Sequence, residues 1–110
     1  MPPKPKPTPV EVLNTAADYI EAHGLNTGEY WPGAATGTPY RAGMPCCALG
    51  AIAVALKPSK PDKTTALVSD AASTLRDRVS KLAGYRRNLV QWNDHATADE
   101  VVAVMRRPVP

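Results

Sequence analysis

The feature that most constrains the fold is an uninterrupted apolar segment of eleven residues, CCALGAIAVAL, at positions 46–56. It is far shorter than the ~20 residues that span a bilayer, so we expect it in a protein core. Because it is apolar on every side, other elements should enclose it. A buried strand is the rival interpretation, but alanine and glycine are poor strand formers. The segment therefore predicts a short central helix, which ends where Lys57 precedes Pro58.

Three amphipathic helices are predicted around this segment. The first begins after Thr8 as N-cap, with Glu11 three residues later completing a capping box. Another has apolar residues at helical spacing over positions 63–83. The last begins after Thr97, where Glu100 forms a second capping box. The apolar stretch 88–92 could be a turn, a strand or a helix.

These elements predict an all-α fold, a small four-helix orthogonal or irregular bundle around the short buried helix. A loop at residues 25–45, rich in Gly and Pro and containing aromatic residues, interrupts it. A length of 110 residues suits one domain. We expect a disordered Lys/Pro-rich tail at 1–7, a single helical domain at 8–107 and a short tail at 108–110.

The charge is only mildly basic, with a formal net charge of +3. A nucleic-acid-binding module concentrates its basic residues on one face. The single local concentration is at positions 76–87, where Asp77 dilutes it: Arg76, Arg78, Lys81, Arg86 and Arg87. A solvated helix face explains it better than a phosphate-binding patch, so nucleic-acid binding is a weak alternative.

The two cysteines, Cys46 and Cys47, are adjacent, and neighbouring residues form a disulfide only with strain. With no signal peptide and no membrane span recognisable, we expect a cytoplasmic protein. Cys47 lies near a predicted helix N-terminus, which can activate a thiol. A small cysteine-dependent hydrolase or transferase using Cys47 with His95 is therefore an alternative, although a buried inert thiol is favoured.

Metal and cofactor sites are not predicted. Zinc would need both cysteines together with His23 and His95, and vicinal cysteines lack the usual ligand spacing.

Trp92, Asn93, Asp94 and His95 are the densest group of chemically informative residues. Asp94 and His95 could form an acid–base pair. The favoured interpretation is that Asn93 and Asp94 accept hydrogen bonds from backbone amides at the entry to the last helix. Trp92 would then anchor that turn in the core.

Residues 29–33, EYWPG, place Tyr30 and Trp31 side by side in the long loop. Exposed, these aromatics would form a recognition surface; packed inward, they would close the core as a lid. The predicted binding residues are Tyr30, Trp31, Trp92, Asn93 and Asp94.

The Cys-Ala-Leu-Gly-Ala motif at 47–51 and the Trp-Asn-Asp motif at 92–94 follow a helix and a Trp-containing loop at 28–31. Together with Thr97-x-x-Glu100-Val101, this order resembles a family of short uncharacterised proteins from bacteriophages and from bacteria carrying related prophage genes. The likeness extends over residues 13–106. It implies a phage-type origin and a place in the host cytoplasm, and no particular activity.

We therefore expect a non-enzymatic protein–protein interaction module. Its partner is expected to be another protein, with no membrane, no nucleic acid and no cofactor involved. The oligomeric state stays open.

Overall fold

The computed structural model describes residues 7–56, 66–82 and 88–108. These residues form five α-helices: α1 (Pro9–His23), α2 (Ala48–Leu56), α3 (Ala66–Ser80), α4 (Leu89–His95) and α5 (Ala98–Arg106). A short 3₁₀ helix, Ala34–Thr36, lies between α1 and α2. Within these ranges the only β pairing is one isolated bridge, between Leu25 and Cys46. The all-α prediction is confirmed, and the undecided stretch 88–92 belongs to a fifth helix.

The helix starts follow local capping rules. Thr8 Oγ1 accepts a hydrogen bond from Glu11 N at 3.2 Å, and the Glu11 carboxylate accepts one from Thr8 N. Thr97 and Glu100 repeat this arrangement at the start of α5. Both predicted capping boxes are therefore confirmed.

Helix α2 packs against both α1 and α3. It begins at Ala48, two residues later than predicted, because Cys46 is held in the bridge to Leu25. Gly50 permits close packing, since a Cβ there would lie 3.0 Å from the Tyr30 carbonyl oxygen. The core residues around α2 come from every helix; the largest fully buried ones are Leu13, Ile20, Ile52, Leu75, Trp92 and Met105.

Arg78, on α3, corrects one sequence prediction. It was expected on a solvated face but is buried, and its guanidinium donates to the carbonyls of Val104 at 3.0 Å and Met105 at 2.7 Å. The last carbonyls of a helix lack intrahelical partners and carry a partial negative charge, so an arginine suits the end of α5. Arg76 and Lys81 are exposed as predicted.

The remaining predictions for these regions fall outside the described residues. They include Arg86 and Arg87, most of both tails, and the predicted start of the helix at 63–83. The predicted end of that helix is wrong, because α3 ends at Ser80 and the chain turns at Lys81 and Leu82. None of the described helices combines the length and the apolar character needed to cross a membrane.

Candidate functional site: a pocket between the long loop, α2 and α4

The long loop between α1 and α2 is tied to the body at several points. Asn26 N donates to the Cys46 carbonyl at 3.0 Å, and Cys47 N donates to the Tyr30 carbonyl at 3.1 Å. The Trp31 indole N–H donates to the Thr38 carbonyl at 2.6 Å. The loop therefore has a defined shape although most of it is irregular, since its backbone groups find partners across the chain.

Glu29 holds the next part of this loop. Its carboxylate accepts hydrogen bonds from Ala35 N and Gly33 N, both at 2.9 Å. Because these two amides stabilise the charged form, the pKa of Glu29 lies below its usual value. The carboxylate thus fixes the start of the 3₁₀ helix next to the aromatic residues.

Asn93 and Asp94 connect α4 to the loop and to α2. Asn93 is 3% exposed; its Oδ1 accepts from Ala48 N at 2.7 Å, and its Nδ2 donates to the Asn26 carbonyl at 3.1 Å. Asp94 Oδ1 accepts from Gly28 N at 2.8 Å. The predicted bonding of both side chains to backbone amides is confirmed.

The predicted location of those amides, at the entry to the last helix, is wrong. They belong to the long loop and to the start of α2, whereas Thr97 and Glu100 cap α5 by themselves. Helix α4 contacts the loop only through the tertiary packing of the chain, and no local pattern in the sequence indicates this contact.

These connections surround an open pocket of about 350 Å³ whose lining is mostly apolar. It lies between the long loop, the first turn of α2 and one side of α4. Its lining residues are Gly28, Glu29, Tyr30, Trp31, Ala34, Ala35, Cys47, Ala48, Leu49, Leu89, Val90, Asn93 and Asp94. The prediction that other elements enclose the apolar segment on every side is therefore wrong along this flank.

Three backbone amides at the start of α2 already have partners within the protein. Cys47 N donates to the Tyr30 carbonyl, Ala48 N to Asn93, and Gly50 N to the Cys47 sulfur at 3.3 Å. A helix N-terminus binds phosphate or carboxylate groups through such amides. Here the protein itself occupies them.

Cys47 lines the pocket, and its surroundings hold the pKa of its thiol above the usual value. Desolvation raises its pKa, the nearby Asp94 charge raises it further, and the hydrogen bond from Gly50 N only partly opposes this. A nucleophilic cysteine needs the opposite shift. His95 is exposed and is not among the pocket-lining residues, so the structure does not bring the predicted base into the pocket with the thiol.

Cys46 lies in the core and does not line the pocket. Tyr19 donates its hydroxyl proton to the Met44 carbonyl at 2.5 Å and receives a hydrogen bond from Tyr40 at 2.6 Å. The Cys46 sulfur lies 4.0 Å from the Tyr19 hydroxyl, and burial raises the pKa of this thiol to about 11. Both cysteines are free thiols, and in the described ranges no three His, Cys, Asp or Glu side chains gather where a metal ion could bind.

Four of the five predicted binding residues meet at this pocket: Tyr30, Trp31, Asn93 and Asp94. Tyr30 is 37% exposed, whereas Trp31 packs inward against Tyr40. The loop therefore combines a lid with an exposed aromatic residue. Trp92 is 1% exposed and anchors α4 in the core, as predicted, and it does not line the pocket.

Sequence reasoning missed Glu29, Leu49, Leu89 and Val90 as pocket residues. A signal for the last two was present. Asn88 and Gln91 form a capping box, which marks a helix start and would have placed Leu89 and Val90 in its first turn.

One protein-family model, described as Family of unknown function (DUF6197), matches residues 4–108 of the chain. No curated protein and no solved structure is significantly similar to it.

Proposed function

The chain belongs to this family of unknown function, and we propose that it is a non-enzymatic protein–protein interaction module. Its pocket would receive one large apolar side chain of a partner protein. The observation that carries this proposal is an open, mostly apolar pocket whose lining continues onto the surface through Tyr30 and Val90.

The size of the pocket fits a single large side chain. A dry apolar cavity of about 150 Å³ is enough to hold benzene. The pocket, at about 350 Å³, has room for a group the size of indole together with part of its backbone. It lies at the small end of the range for drug-sized ligands.

The surroundings of the pocket favour a polypeptide over a free small molecule. Val90 is 54% exposed and Tyr30 is 37% exposed, so apolar surface extends beyond the opening. A small molecule inside the pocket would leave this surface in water, whereas a protein segment would cover both. Tyrosine is also enriched among the residues that dominate interface energetics.

The pocket is preorganised for such a contact. Asn93 is buried and bonded at both ends, and Glu29 fixes the loop through two backbone amides. Walls held in this way lose little conformational entropy on binding, and this supports affinity from a small contact area.

A peptide-display selection against the full chain tests the proposal. Peptides selected on the native protein should bind at least fivefold more weakly to Val90→Ser. They should bind equally well to Val10→Ser, a matched control that is 47% exposed on α1 and away from the pocket. Circular dichroism would verify that both variants fold.

Two results would overturn the proposal. One is a selection that yields no peptide whose binding separates the two valine variants. The other is self-association in sedimentation experiments that Val90→Ser abolishes, because the occupant would then be a second copy of the chain. If Val90→Ser does not fold, Ala35→Trp replaces it, since Ala35 is exposed and its enlarged side chain would fill the pocket.

We also propose that the module is of phage type and acts in the cytoplasm of a bacterial host. The two sequence motifs and the two free cysteines support this. Fractionation of expressing bacteria would contradict it if the protein were recovered from the cell envelope.

A further inference from the structure

We infer that the pocket selects a partner segment in which a large apolar anchor is flanked by lysine or arginine. This inference rests on the proposed interaction function and specifies the chemistry of the partner. Its basis is the pair of carboxylates, Glu29 and Asp94, beside an apolar pocket.

The local charge is opposite to that of the whole chain. The protein carries a formal net charge of +3, yet the described residues that line the pocket include two acids and no Lys, Arg or His. The acidic character of the opening is therefore a property of this site. Complementary charges of this kind set specificity and association rate at interfaces.

Asp94 is the carboxylate placed to contact a partner's cation. Its Oδ1 accepts from Gly28 N, and its Oδ2 accepts no hydrogen bond from the described part of the chain. The side chain is exposed, so Oδ2 can accept an ammonium or guanidinium N–H. One residue thus shapes the loop with one oxygen and offers the other to solvent.

Glu29 acts at longer range, because both of its oxygens are bonded to loop amides. Each oxygen already accepts one amide hydrogen bond, so Glu29 contributes chiefly negative potential to the site. A bare metal ion would need several oxygen ligands around it, and no such group exists among the described residues. A cation carried on a side chain next to an apolar anchor fits both features of the site.

Amide chemical shifts of the full chain, titrated with four capped tripeptides, test the inference. The probes are acetylated, amidated Lys-Trp-Lys, Ser-Trp-Ser, Glu-Trp-Glu and Lys-Ser-Lys. Exposed ion pairs contribute about 0.2–1 kcal/mol, so Lys-Trp-Lys should bind roughly 1.4- to fivefold more tightly than Ser-Trp-Ser. Glu-Trp-Glu should bind more weakly than either, and Lys-Ser-Lys should not shift the pocket amides.

Asp94→Asn isolates the charge. The asparagine oxygen can still accept from Gly28 N, so the loop contact is kept while the charge is removed. The preference for Lys-Trp-Lys over Ser-Trp-Ser should shrink towards onefold in this variant. It should persist in Asp70→Asn, the matched control, which removes an equal charge from an exposed position on α3 outside the pocket.

The outcomes separate the two proposals. Equal binding of all three tryptophan peptides at the pocket amides would overturn the basic preference and leave the interaction function standing. If Lys-Ser-Lys binds as tightly as Lys-Trp-Lys, the tryptophan anchor contributes nothing to binding, and the inference is overturned. If no peptide shifts the pocket amides at millimolar concentration, both proposals fail. If Asp94→Asn is unfolded, a preference that does not weaken in high salt refutes the inference.

Discussion

Asn93 offers the sharpest test of how the site is built. We consider Asn93→Leu, which keeps the branched shape of the side chain but replaces both polar atoms with methyl groups. In the native protein these atoms accept from Ala48 N at 2.7 Å and donate to the Asn26 carbonyl at 3.1 Å. The substitution therefore leaves one amide and one carbonyl without their partners.

The expected cost follows from the burial of those two groups. Leaving a buried donor unsatisfied costs about 1–3 kcal/mol, and this full penalty applies at Ala48, which is completely buried. Asn26 is only partly buried, so water can reach its carbonyl and its share is at most about 1 kcal/mol. We expect a loss of about 1–4 kcal/mol, a considerable part of the roughly 5–15 kcal/mol that stabilises a typical domain.

Urea unfolding followed by circular dichroism measures this loss. The matched control is Asn14→Leu, an identical substitution at an exposed position on α1, where the change should stay within about 0.5 kcal/mol. If the free energy of unfolding of Asn93→Leu lies within about 0.5 kcal/mol of the native value, the two hydrogen bonds of Asn93 do not stabilise the loop. That result would refute the role given to Asn93 in the pocket.

Three further substitutions test the fold. Arg78→Met should destabilise the protein by about 1.5–3 kcal/mol, because two charged hydrogen bonds to the end of α5 are lost. The control Arg76→Met should have little effect. Equal free energies of unfolding for the two variants, measured with urea, would contradict the capping role. Burial raises the pKa of Cys46 from 9.0 to about 11, so the folded chain keeps a proton that the unfolded chain loses. The free energy of unfolding should therefore fall as pH rises from 9 to 11, and less steeply in Cys46→Ala; parallel slopes would refute this. Gly33→Ala should lower the midpoint of thermal unfolding more than Gly37→Ala. Both positions have positive φ, but only at Gly33 would a Cβ overlap a threonine side chain. Equal decreases in the two midpoints would refute the clash.

Elements defined by neighbouring residues were predictable. The capping boxes at Thr8 and Thr97 involve residues three positions apart, and the structure confirms both. The capping box of α4, at Asn88, is equally local, but the short apolar stretch after it was compatible with several structures. The sequence therefore does not decide the structure of this stretch, although it contains the start signal of the helix.

The pocket was only partly predictable. The chemistry of Tyr30, Asn93 and Asp94 made them candidates, and they do meet at one place. Their partners were not predictable: Asn93 bonds to an amide 45 residues away and a carbonyl 67 residues away, and Asp94 to an amide 66 residues away. Arg78 was misplaced for the same reason, since its two carbonyls lie 26 and 27 residues further along the chain.

The sequence alone determined the helical class, two of the helix starts and the mostly buried apolar helix α2. These depend on hydrophobic period and on contacts within one turn, which are written in neighbouring residues. The tertiary structure alone decided that one flank of α2 is open, which thiol faces it, and which carboxylates stand beside it. Those features arise where α4 and the long loop pack against α2. The hydrogen bonds there join segments far apart in the chain, and no local sequence pattern predicts them.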